Sequence, residues 1–143
     1  MRQPNIIAML NRALATVYRS LPMFVELVDP WTHPGDEGGE RLLANIVADQ
    51  KLYSGRLADL ILDLAGSPDP GAFPMVYTDL HLLSLDYLLV EIAEQQRRDV
   101  ATLAECVTDA ASNARAKALL EEVLGNARGH LESLEQVAGQ AAK

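Results

Sequence analysis

Three residues able to exchange hydrogen bonds interrupt otherwise apolar stripes in this chain: Gln50, Tyr53 and His130. Gln50 and Tyr53 stand at i and i+3, so a helix places both on one face. Their neighbours on that face are Leu43, Ile46, Leu57, Leu60 and Leu64. His130 interrupts a second stripe, Leu120, Val123, Ala127, Leu134 and Val137. An amide, a phenol and an imidazole can satisfy one another without net charge, which avoids the cost of burying ions. The expected arrangement is therefore a neutral hydrogen-bonded cluster of Gln50, Tyr53 and His130. Other chemically capable residues read more simply. Cys106 in LAECV is a small core filler. Trp31 and His33 belong to a loop, and His81 to a surface or crossover contact. Asp86 marks a polar contact between helices, and Arg97 and Arg98 pair with nearby acids. The sequence has no glycine-rich phosphate loop, serine-nucleophile motif or metal-spaced His/Cys set.

Helices must hold these residues. Apolar spacing of three and four predicts helices over about 4–28, 37–65, 78–110 and 112–140. Pro22 falls inside the first and should kink it. Gly66 supplies a stop after the second, and Asp79 a cap for the third. The links DPWTHPGD and AASN are short enough for antiparallel pairs. The middle link, GSPDPGAFPMVY, carries Pro68, Pro70 and Pro74 and should be extended. Extended, it spans roughly 40 Å, close to the roughly 43 Å length of a helix over 37–65. An all-α, single-domain four-helix bundle over 1–143 follows, with one long crossover between the second and third helices. Gln50, Tyr53 and His130 then lie midway along their helices, in one core layer.

At this level the chain resembles the ferritin-like superfamily, particularly its small rubrerythrin-like and uncharacterised bacterial branches. The resemblance is carried by LNRALATVY, ADQKLYSGRLADLILDLAGSPDPGAFP, DLHLLSLDYLLVEIAEQQRRDV and LLEEVLGNARGHLESLEQV, nearly the whole chain. Such bundles hold two metal ions with one Glu from each of two helices and a Glu-x-x-His from each of the others. Matched residue by residue, the resemblance puts those six positions at Val17, Gln50, Tyr53, Glu94, Ala127 and His130. Only Glu94 and His130 keep a ligand type. A helical wheel sets Glu94 off the stripe Leu85, Leu89, Ala93, Gln96, Val100 and Leu103. The resemblance thus implies the fold, while the mismatches imply a vestigial site with no cofactor and no catalysis.

Composition narrows the function classes. The 143 residues are 49% hydrophobic, with a formal net charge of −8. Acidic balance argues against nucleic-acid or polybasic membrane binding. No apolar stretch approaches the roughly 18 residues of a membrane span, and the N-terminus does not read as a signal peptide. A cytoplasmic homodimer with a structural, protein-binding or small-ligand-binding role is expected. The alternatives are a single-metal (iron or zinc) redox or stress protein and a histidine phosphotransfer bundle, which would need His130 exposed.

Overall fold

A computed structural model describes residues 3–28, 30, 32–75, 77 and 83–141. Among them the chain forms α1 (Gln3–Tyr18), α2 (Leu21–Val28), α3 (Glu37–Asp63), α4 (Leu85–Asp109) and α5 (Ala114–Ala141). The structure corrects the first helix expected over 4–28, which breaks at Arg19 and Ser20. Pro22 is one cause, since it lacks an N–H and clashes with the preceding turn. Ser20 is the other. Its hydroxyl accepts the Met23 N–H at 3.3 Å, a helix cap that starts α2 anew.

The end of α3 also differs from expectation. The Gly66 N–H donates to Ile61 O at 2.8 Å and the Ala65 N–H to Leu62 O at 2.9 Å. This is a Schellman ending, with the left-handed position held by Ala65 (φ 63°) rather than by Gly66. Gly66 is required for a different reason. A Cβ there would come within 2.8 Å of the Ile7 side chain. The helix expected over 78–110 is α4, which begins at Leu85, where the Ser84 side chain caps it through the Tyr87 N–H. The cap expected at Asp79, and His81 and Trp31, lie outside the described residues. Asn113 opens α5 by accepting the Ala116 N–H at 3.0 Å.

The crossover climbs the bundle beside the first two helices. Asn11 in α1 donates to Ser67 O at 3.0 Å and accepts the Asp69 N–H at 2.7 Å. Farther on, Arg19 donates to Ala72 O at 3.1 Å. At the top, Phe24 packs edge-on to Phe73 and tilted against Tyr77. The link thus runs parallel to α1 and α2, the direction a crossover between two hairpins requires.

The core divides into two apolar clusters. Leu10, Leu14, Val17, Leu57, Leu103, Leu120 and Ala127 belong to one. Leu21, Ile46, Val47, Leu89, Ala93 and Leu134 belong to the other. The step from one cluster to the other falls at Ser20 between Val17 and Leu21, and at Gln50 after Val47. In α4 it falls at Gln96 after Ala93, and in α5 at His130 between Ala127 and Leu134. A polar waist separates two greasy halves. Ser20, Gln50 and Gln96 are all buried there. Cys106 is fully buried in the first cluster, and burial pushes its thiol up to about 11, which suits a packing role. Among the described residues, no helix is long and apolar enough to cross a membrane.

Candidate functional site: a polar waist in the bundle core

A cavity of about 20 Å³ sits in this waist. Thr16 and Val17 line it from α1, Gln50 and Tyr53 from α3, Gln96 and Asp99 from α4, and Asn126, Ala127 and His130 from α5. Five of the six residues matched by resemblance, Val17, Gln50, Tyr53, Ala127 and His130, therefore meet in one place. Glu94 does not. It is exposed on α4, about 200° around the helix from Gln96 at the helical pitch. The α4 contribution comes instead from Gln96 and Asp99, one turn apart on the inward face.

The hydrogen bonds differ from the expected Gln50–Tyr53–His130 cluster. Gln50 Oε1 accepts from the Ser20 hydroxyl at 2.6 Å, with both residues buried. Ser20 Oγ also accepts the Met23 N–H, while its own proton is directed at Gln50 Oε1. His130 Nε2 lies 2.7 Å from Asp49 Oδ2. Asn126 Nδ2 donates to the same oxygen at 2.9 Å. An ionised carboxylate only accepts, so Nε2 carries the proton. The Asn126 hydrogen bond holds Asp49 below the usual carboxylate range against some desolvation, and the His130 hydrogen bond adds to it. His130 is thus drawn to the rim of the waist. Its side chain is only 14% exposed, which disfavours a phosphotransfer histidine. Tyr53 lies half-buried beneath the Arg56 guanidinium, 5.5 Å from its ring centre.

On α4, Gln96 Nε2 donates to Ala127 O at 3.1 Å. That bond consumes the amide N–H side and leaves Oε1 buried with no partner among the described residues. Asp99 accepts from Gln95 Nε2 at 3.1 Å. Desolvation pushes its carboxyl up to about 6, opposed by the Gln95 hydrogen bond and the charge of Arg98. Arg97 reaches Glu135 at 3.4 Å, so half of the expected Arg97–Arg98 pairing is present. Arg98 contacts Gln95 instead, at 3.5 Å. Asp86 sits away from the waist at the start of α4. Desolvation and a hydrogen bond to Asp36 raise its carboxyl.

A di-metal centre does not fit these residues. It calls for four carboxylates and two imidazoles, whereas the cavity lining offers Asp99 and His130. Among the described residues, no three His, Cys, Asp or Glu side chains form a group that could hold a metal ion. Sequence reading missed Asp49, Asn126, Ser20 and Asp99 as members of the site. Gln96 carried a signal, because like Gln50 it interrupts an apolar stripe.

No family model matches the chain, and no curated protein matches it. Its fold is nevertheless that of known structures. A ferritin-like, diiron-carboxylate protein from Bacillus anthracis str. Ames superposes with a TM-score of 0.78 at 16% identity, covering 96% of this chain and 99% of that one. The bacterioferritin of Desulfovibrio desulfuricans, described with its diiron site in different catalytic states, superposes with a TM-score of 0.71 at 17% identity. There the match covers 96% of this chain and 80% of the other. The chain therefore has the ferritin-like all-α bundle fold.

Proposed function

We propose that this protein is a non-catalytic ferritin-like bundle whose di-metal site has become a mostly uncharged, hydrogen-bonded polar cavity with a small-ligand-binding or structural role. One observation carries the reading: the groups lining the waist are mostly neutral and already committed to protein partners. Gln50 is taken by Ser20, Gln96 by the Ala127 carbonyl, and His130 by Asp49. Neutral amides and a phenol are poor substitutes for the hard carboxylates that divalent iron or manganese needs. Val17 and Ala127 put apolar volume where two carboxylates would stand. The test is anaerobic calorimetry of the purified chain with Fe(II), Mn(II) and Zn(II). No saturable heat is expected, and binding of two ions per chain would overturn the reading.

A second reading, one weakly held metal ion, is favoured by one juxtaposition. Asp99 and His130 line the same cavity from facing helices. It would show as one ion per chain in the same titration, lost in both Asp99→Asn and His130→Gln.

A further inference from the structure

We propose that the waist cavity is a binding site for one hydrogen-bond-donating molecule of water size, a water held by Gln96 Oε1 and Asp99 on α4 and by the Gln50 amide N–H on α3. The proposal rests on the metal-free reading of the cavity above. Three features lead to it.

The first is an orphan acceptor of known orientation. Gln96 is 2% exposed, and its N–H side is fixed on Ala127 O. Rotating the amide would face an oxygen against that carbonyl, so Oε1 is the atom left without a partner. Buried acceptors in folded proteins are almost always satisfied, by water where protein cannot reach. The second is size. A cavity of about 20 Å³ exceeds the roughly 10–15 Å³ that one water needs, and is too small for most organic ligands.

The third is the balance of donors and acceptors. Gln96 Oε1 accepts, and so does the Asp99 carboxyl. Gln50 offers a donor, because its oxygen is already bound by Ser20. A water can give both hydrogens and accept one, three bonds in all. An ammonium ion has no lone pair for the Gln50 N–H, and a metal cation would be repelled by it. The occupant would join α3 to α4 at the level where the two apolar clusters part.

Magnetic relaxation dispersion of water oxygen counts long-lived internal waters in solution and provides the test. Wild-type protein should retain one more such water than Gln96→Met, whose side chain fills the space with apolar atoms. Asp99→Asn keeps a hydrogen-bonding amide at that position and should retain the water. If Gln96→Met does not fold, a high-resolution crystal structure of the wild type decides. A peak within hydrogen-bond distance of both Gln96 Oε1 and Asp99, without anomalous signal, supports the proposal. Equal internal-water counts in wild type and Gln96→Met overturn it, as does stabilisation by ammonium chloride beyond that by sodium chloride at equal ionic strength. Either result leaves the metal-free reading standing. An anomalous metal peak overturns both.

Discussion

Replacing Asp99 by Asn removes the carboxylate from the waist cavity while keeping its shape. The Gln95 Nε2 hydrogen bond is kept, since an Asn oxygen accepts it as well. In the folded protein the Asp99 carboxyl titrates at about 6, against an ordinary value of 3.8. A raised folded-state value means that the native state holds the proton more tightly than the unfolded chain. Its favourable contribution is complete below about pH 4 and is lost as pH rises to about 6; above that the ionised group is a constant penalty. Two units at about 1.36 kcal/mol each give roughly 3 kcal/mol. Partial solvent access trims this to about 2 kcal/mol. Asp99→Asn should therefore match the wild type near pH 4 and exceed it by about 2 kcal/mol near pH 8. Urea unfolding followed by circular dichroism at several pH values reads the difference directly. Other titrating groups, such as Asp49 with its lowered value, act equally in both proteins and cancel. Equal stability near pH 8, or a variant less stable there, would refute the claim that Asp99 is a desolvated carboxyl in this layer.

Other perturbations probe the frame around the cavity. Ser20→Ala removes both the donor to Gln50 and the cap of α2, and should cost about 2–3 kcal/mol in urea unfolding; a loss within error would mean the waist does not depend on that bond. Ala65→Gly relieves a left-handed alanine and should stabilise by about 1 kcal/mol, read as a raised unfolding midpoint. Rebuilding the ligands with Val17→Glu, Gln50→Glu, Tyr53→His and Ala127→Glu should give two-ion Fe(II) binding only when Gln96→Glu is added. If the fourfold variant binds two ions as well, Glu94 reaches the core and the register given for α4 is wrong.

The part of the site that could be read in the sequence was the part written as an interruption. Gln50 and Tyr53 break a leucine stripe, and His130 breaks another, so helical periodicity puts them on inward faces and the connections between helices put them at one level. The same test applied to α4 points to Gln96 and away from Glu94, yet matching by resemblance favoured the glutamate. The wheel was the better guide, because burial follows the face and not the residue type. Partners were harder to read. Asp49, between Ala48 and Gln50, occupies an ordinary polar slot, and only the approach of α3 to α5 brings it to His130 and Asn126. Ser20 looked like one more residue of a long helix. Its pairing with Pro22, two residues on, is the sequence mark of a new helix start, and that break is what aims its hydroxyl at Gln50. The crossover was legible from its prolines, whereas its anchoring by Asn11 and Arg19 depends on side-chain reach that spacing does not encode.

The proposed loss of the di-metal centre is open to a single decisive assay. The protein is produced in iron-supplemented medium and purified without chelators. Its metal content is determined per chain, and its absorbance is followed after anaerobic loading with Fe(II) and exposure to air. A polar, metal-free waist predicts no stoichiometric metal and no oxo-bridged iron band. Two iron ions per chain with that band would contradict it.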